Sequence, residues 1–444
     1  MNYRRFPAVL ILAALAVAFA ARRGRSQQRT DKYPDGTRRT VYSVDSEGRR
    51  HGEFRQYYPN GRLKTDARYL HGLLHGPYVT YHPNGKRKVE AAHRRGRWHG
   101  PYVARAADGS PFRSAAFRDG KLHGPHRQFD GKRLVKDQYW LAGELIFPKS
   151  AKLIDRRLES IAKMPIQTVG RVPAAGAEVI AAVRDRAAHA KREAALRRLM
   201  AYRYLCDLPY RDVQLDWNYT AHAVAAARIM NRLNKLTHAP ENPGWPQADY
   251  EFARKGAGSS NISSSPSLSV AIEMFIGDSD GGNIDRLGHR RWCLNPTMQR
   301  TGFGAFGKFS AMWSFDRSRR DVPEFDYVAF PPRGLMPRSM FEKSWAWNVS
   351  LNKDKYAAAE KGKVKVRIAP VRLDVGSNSL WPAGQPLKLD YFNVDTHGFG
   401  IDNCVIFRPA GVATDAGAVY SVIVSGLVDS KGKPAALRYA VGFY

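Results

Sequence analysis

Residues 287–296 read LGHRRWCLNP: an imidazole, His289, stands four positions before a thiol, Cys293, with two arginines and a tryptophan between them. Three kinds of chemistry use such a set. Histidine and cysteine are transition-metal ligands, an imidazole can activate a thiolate nucleophile, and a cysteine beside a tryptophan can simply be core packing. A catalytic thiol needs its base within about 3 Å, and a four-residue separation gives no reason to expect that, so the nucleophile is the weakest of the three. Just upstream, Asp278-Ser279-Asp280-Gly281-Gly282-Asn283-Ile284-Asp285 has the carboxylate density of a calcium loop. Its fifth position is glycine and no glutamate stands at the twelfth, so it reads as a solvated turn.

The elements that must place His289 follow from periodicity. From Val179 to Cys206 apolar residues recur at helical spacing, which predicts one amphipathic helix. A second helix starts near Asp216, aligns Tyr219, Ala223, Ala226, Met230 and Leu233, and ends where Pro240 and Pro243 stop it, with His238 close by. Ser265-Pro266 supplies an N-cap and a first-turn proline for a third helix, SLSVAIEMFIGD. TGFGAFGKFSAMWSF, with glycines among alternating aromatics, reads as a strand or hairpin.

In that order stand Leu199 and Arg203, then Ala223, Ala227 and Leu236-Thr237-His238, then Gly258-Ser259-Ser260-Asn261-Ile262, then Gly288-His289-Arg290, then Leu294-Asn295-Pro296 and Gly302-Phe303-Gly304. This series resembles the CAP superfamily (cysteine-rich secretory, antigen 5 and pathogenesis-related proteins; SCP-like domains) over about residues 190–318. The resemblance implies an α-β-α sandwich whose groove carries two histidines and two acids, in some members around a divalent metal. His238 and His289 match the histidines. The sequence departs from the pattern at the acids, with Ser260 before Asn261 in place of one and the shorter Asp278 in place of the other. The groove is therefore expected from His238, His289, Asp278, Ser260 and Asn261, with His238 and His289 as metal ligands if zinc binds at all, since two neutral imidazoles without an anionic third ligand hold zinc poorly. Glu273 could substitute for the missing acid, though a surface glutamate is its default reading.

The N-terminus, MNYRRFPAVLILAALAVAFAARRG, sets two arginines before an apolar run that closes on Ala18-Phe19-Ala20. That is the pattern of a secretory signal over residues 1–21, with a short uncleaved anchor as the alternative. Export to the cell envelope or medium follows. It permits a disulfide, and Cys206 with Cys293 would close a loop of about 87 residues, adding on the order of 4 kcal/mol; buried free thiols are the alternative, and Cys404 would be the odd thiol.

Residues 31–147 form a repeat. His51-Gly52, His75-Gly76, His99-Gly100 and His123-Gly124 recur every 24 residues, each followed by Asn60-Gly61, Asn84-Gly85, Asp108-Gly109 or, at a spacing of 22, Asp130-Gly131. Such pairs between short aromatic runs signal hairpins whose two turn residues take positive φ. The units must stack to bury Phe54, Tyr57, Tyr78, Tyr81, Tyr102, Phe117 and Phe129 in one sheet or solenoid. The recurring histidine reads as a hydrogen-bonding turn residue in preference to a metal ladder. The pattern resembles the MORN-repeat variant family, which implies an adaptor without chemistry. Between Arg22 and Ser150 stand 28 Lys and Arg against 12 Asp and Glu, half of the net charge of +31. A surface like that attracts anionic envelope polymers or a membrane surface, although an arginine-favouring codon usage gives the same balance. No nucleic-acid-reading signature appears.

A linker (148–177) leads to the 178–318 domain. An extension (319–365) and then short strands at about ten-residue intervals (366–444) follow, the latter predicting a β-sandwich of immunoglobulin-like class. The fold class is thus multidomain: hairpin array, central sandwich, terminal β-sandwich. No residue set stands out as catalytic. The favoured function is an exported binding protein taking a small-molecule, lipid or peptide ligand. A metal-assisted hydrolase using His238, His289 and Asp278 is the first alternative, and an immunity or toxin-associated protein acting through its repeats is the second.

Overall fold

A computed structural model describes residues 27–374 and 379–444. The segment read as a signal or anchor, 1–21, lies outside them. Among the described residues no helix is long and apolar enough to cross a membrane. The chain forms two compact units, one running to Leu153 together with Leu373–Trp381, the other made of Ile154–Arg372 and Pro382–Tyr444.

The first unit is an antiparallel array of twelve strands, from Gln27–Lys32 to Glu144–Phe147, in one sheet where each strand pairs with its sequence neighbour. The single exception is Lys121–Leu122, a two-residue strand attached only to Pro111–Arg118. Two kinds of turn alternate. At His71-Gly72, Arg95-Gly96, Asp119-Gly120 and Ala142-Gly143 both residues have positive φ, as a tight two-residue hairpin requires. At the Asn-Gly and Asp-Gly turns only the glycine does, which corrects the expectation that both positions would. There the acid or amide is selected for a different reason: Asn60, Asn84 and Asp108 each accept, through the side chain, the backbone N–H two residues on. At Asp130 the strands close through Arg133, two residues sooner, which accounts for the shortened last spacing.

The recurring histidines act at the other turns. Nδ1 of His75, His99 and His123 accepts the backbone N–H of Arg95, Asp119 and Ala142, the first positive-φ residue of the next hairpin tip. Aromatic rings run across the sheet: Phe54 meets Tyr69 at 5.5 Å, and Trp98 meets Tyr78 at 5.9 Å and Tyr102 at 5.5 Å between centroids.

In the second unit a five-stranded sheet has the order Thr168–Val169, Gln214–Asp216, Arg300–Phe306, Phe309–Trp313, Ser260–Ser263. Alternate residues of a strand face opposite ways, and Arg300–Phe306 shows both. A Cβ on Gly302 or Gly304 would strike the backbone of Trp217–Leu233, whereas Phe303 joins the core that holds Leu196 and Leu199 of Arg186–Leu205 with Ile272 and Phe275 of Leu268–Gly277. The predicted first helix is broken in two by Asp185, whose extended backbone ends Ala177–Arg184 and whose carboxylate caps Arg186–Leu205 at Ala188. Trp217–Leu233 stops at Asn234 in the left-handed conformation, six residues before Pro240, the first of the prolines expected to stop it. The cap of Leu268–Gly277 is Ser267, which accepts from Val270, not Ser265.

Two further sheets complete this unit. Tyr327–Phe330, Trp347–Leu351, Cys404–Pro409 and Leu389–Asp395 form one. Gly334–Met336, Pro434–Phe443, Val419–Val428 and Lys365–Asp374 are successive neighbours in the other. Trp347 of the first meets Tyr420 and Phe443 of the second at 6.0 and 6.3 Å between ring centroids. The segment read as an extension thus supplies strands to both.

Candidate functional site

His289 lies in the short helix Gly288–Cys293 and His238 in the loop after Trp217–Leu233. Their ring centroids are 6.2 Å apart although 51 positions separate them. Each ring is oriented through Nδ1. His238 Nδ1 bonds the Ala257 carbonyl at 3.0 Å, and His289 Nδ1 bonds Asp278 Oδ1 at 2.8 Å. Both pairings fix the tautomer with the proton on Nδ1 and leave Nε2 as the basic nitrogen. Partial desolvation lowers the His238 pKa, with His289 and Arg286 adding to it and the Ala257 carbonyl opposing. The ring is neutral at pH 7.

Asp278 is 3% exposed and caps Leu268–Gly277 in the left-handed conformation. Its second oxygen accepts the Arg290 backbone N–H at 3.2 Å. Both oxygens are therefore engaged by the helix that carries His289. Asn261, 1% exposed, donates to the His289 carbonyl at 3.0 Å and to Cys293 Sγ at 3.4 Å while accepting from Ser314. It braces the histidine from behind. Ser260 is buried on the opposite strand face, the one it shares with Ile262 toward Ala223 and Ala226, and its hydroxyl bonds neither imidazole. Glu273 is held by Arg198 and the Tyr202 hydroxyl.

Cys206, Cys293 and Cys404 are all buried and none is disulfide-bonded, so the expected Cys206–Cys293 bridge is not formed. Cys293 instead sits in the core beside Asn261 and Met312, and burial raises its thiol well above the usual range, the reverse of what a nucleophile needs. Trp292 stacks on Phe315 at 4.2 Å. Both arginines are buried clamps: Arg290 bonds the carbonyls of Ile276, Gly277 and Ala346, and Arg291 those of Arg286, His397 and Ile401 together with Asp395.

His238 opens onto a groove of about 700 Å³, also lined by His222, Glu251, Phe252, Arg254 and Lys255. Four of these belong to Gln247–Gly258, a helix the periodicity did not reveal. His222 was also missed. It is 4% exposed, lies flat on Phe252 at 3.7 Å and bonds that residue's carbonyl through Nδ1 at 3.0 Å. Its pKa is lowered from 6.5 by burial, with the Phe252 carbonyl opposing. The unfolded chain therefore takes up this proton first as pH falls, so the stability that His222 supports is complete above 6.5 and declines below it. The melting temperature should drop between about pH 7.5 and about pH 5.5. His222→Asn, which keeps a donor for Phe252 but does not titrate, should shrink that drop; an undiminished drop would assign it elsewhere.

For zinc the donor set does not fit. Among the described residues no Asp, Glu, Cys or third His completes a ligand set around His238 and His289, and the nearest carboxylate stands behind His289.

Comparison with protein families matches the MORN repeat variant to residues 50–71 and 74–93, two hairpins of the array. No curated protein matches the chain. The matched hairpins make the first unit a MORN-like repeat module of the kind that supports interactions.

Proposed function

We propose that the chain is an exported binding protein of the cell envelope, in which residues 178–318 are a CAP-like α-β-α domain and the groove beside His238 and His289 takes up a small-molecule, lipid or peptide ligand. The repeat array serves as the interaction module, and its basic surface suits anionic envelope polymers or headgroups. One observation carries the reading: two imidazoles from distant segments stand 6.2 Å apart, each locked through Nδ1 with its Nε2 left for a ligand. A lining that combines Phe252 with Arg254, Lys255 and Glu251 suits a ligand with an apolar body and a polar end.

The hydrolytic reading draws on the Asp278–His289 pair, which has the geometry of a base held by its orienting carboxylate. In that reading His289 is the base and Asp278 positions it.

The test is histidine NMR. In full-length protein labelled at histidine, the His238 and His289 ring signals are followed during titration with a fatty acid, a cell-wall peptide and a small carboxylate in turn. One class should move both signals together and lose its effect in His289→Ala. If none moves either, the groove does not bind these classes. Fractionation of cells expressing a tagged copy checks export separately, and tag confined to the cytoplasm would remove the envelope assignment.

A further inference from the structure

The first hairpin junction departs from the pattern that the other repeats obey. In three copies the histidine Nδ1 is occupied by the backbone N–H at the next tip, from Arg95, Asp119 or Ala142. In the first copy His51 Nδ1 is buried and has no hydrogen-bond partner. The tip residue opposite it is itself a histidine, His71, whose ring meets that of His51 edge-on at 4.8 Å. Asp45, in the turn before the His51 strand, completes the cluster: its Oδ2 is 3.1 Å from His71 Nδ1. One ligand atom from each of Asp45, His51 and His71 falls within 4.8 Å of the others, the only such set of three or more His, Cys, Asp or Glu among the described residues.

We propose that Asp45, His51 and His71 form a binding site for a divalent transition-metal ion of the zinc class. Two imidazole nitrogens and one carboxylate oxygen are the donors such ions prefer, and three protein ligands leave a fourth position for water or a group from a partner. The carboxylate is ionised at neutral pH. Partial desolvation works against that, but hydrogen bonds from His71, from the backbone and side chain of Arg49 and from the Glu47 amide lower its pKa to about 2.

Ligands on one zinc ion lie about 3.3 Å apart, so the cluster must contract. Asp45 Oδ2 and His71 Nδ1 already stand 3.1 Å apart, so the distance to close is the one to His51, and the 57% exposed His71 side chain at the hairpin tip has room to turn. What a metal must displace is Arg49. Its Nε donates to Asp45 Oδ2 at 3.1 Å and its Nη2 stands 3.2 Å from His71 Nδ1, so the guanidinium crowds the same two atoms. It is 42% exposed and can swing into solvent. Arg49 and the metal therefore compete for one site.

The experiment is zinc titration by calorimetry on the full chain carrying His238→Ala and His289→Ala, so that the groove imidazoles contribute nothing and failure here is independent of the groove reading. One zinc per chain is expected, with affinity reduced about tenfold or more in His71→Gln and in Asp45→Asn. Arg49→Gln should tighten binding roughly two- to fivefold, the range of an exposed ion pair. That gain cannot come from misfolding. Absence of a zinc heat, zinc uptake that survives both ligand substitutions, or an Arg49→Gln variant that binds no better would each overturn the site.

Discussion

Gly304→Ala should lower the stability of the second unit by about 3 kcal/mol or more, because its new methyl has no space. A Cβ there would lie 2.2 Å from Val224 N, 2.3 Å from the Ala223 carbonyl carbon and 2.4 Å from Val224 Cα. These are backbone atoms of a buried helix, so no rotamer change relieves the clash. The strand carries Gly302 on the same face two residues earlier, where a Cβ would meet Thr220 N at 2.2 Å. The helix answers with Thr220, Ala223, Ala226 and Ala227, all buried and small. Helix and strand thus approach backbone to backbone, and this contact sets the height of the helix whose end leads to His238. The melting temperature should fall by roughly 6–12 °C. Gly61→Ala is the control: its φ of 76° is strained for alanine but the space around it is open, so it should cost only about 1–2 kcal/mol. If Gly304→Ala melts within 2 °C of the parent, close packing at that face is not what holds the helix.

How much of this was legible in the residues depends on how local the cause is. The 24-residue array is readable because each hairpin tip needs a glycine at positive φ and each turn an acid or amide two residues before a backbone donor, both short-range requirements. Even so, the wrong tip was assigned two positive φ values, since Asn-Gly is used here for its side-chain acceptor. The strands from Leu389 onward were readable from alternation. Helix ends were not, because Asp185, Asn234 and Ser267 act through cap geometry that competes with nearby prolines and serines. Gln247–Gly258 escaped notice for a physical reason: it buries only Ala253, Gly256 and Ala257, so it has no apolar stripe. Its closeness to the preceding helix rests on Gly256, where a Cβ would stand 2.1 Å from the His222 carbonyl oxygen. The family resemblance led to the expectation that His238 and His289 approach one another, and their rings stand 6.2 Å apart, although of the two only His238 lines the groove; the position of Asp278 behind His289 is a matter of which way a cap residue turns. The buried arginines were invisible to periodicity, which counts every guanidinium as solvent-facing. Arg192, Arg203, Arg290 and Arg291 are all at most 2% exposed, and their partners are mainly carbonyls far along the chain, such as Cys293 and Asn295 for Arg203.

Among these buried arginines, Arg290 closes the end of a helix. Its guanidinium accounts for the carbonyls of Ile276 and Gly277, the open end of Leu268–Gly277, and ties them to the Ala346 carbonyl and Asn348 Oδ1 at 3.0 Å. It also lies 4.6 Å above the Phe330 ring centroid. Burial lowers its pKa to about 10, opposed chiefly by Asp278, so the charge persists at neutral pH and stabilises the negative end of the helix dipole. Arg290→Ala leaves the Gly277 carbonyl its Ser279 hydroxyl but takes the side-chain donor from the buried Ile276 and Ala346 carbonyls, and each such group costs about 1–3 kcal/mol. A total loss on the order of 4 kcal/mol follows. Arg290→Leu restores volume without donors and should be nearly as damaging, which separates lost hydrogen bonding from a cavity. Because the Arg290 side chain holds the two carbonyls just before Asp278 while its backbone N–H bonds the carboxylate, the loosened cap should also disturb the carboxylate that orients His289. Arg290→Ala, examined below its melting temperature, should therefore show a broadened or shifted His289 ring signal while His222, anchored on Phe252, stays in place. A Leu variant as stable as the parent, or a His289 signal indifferent to either change, would mean that the cap and the groove are held by something other than this guanidinium.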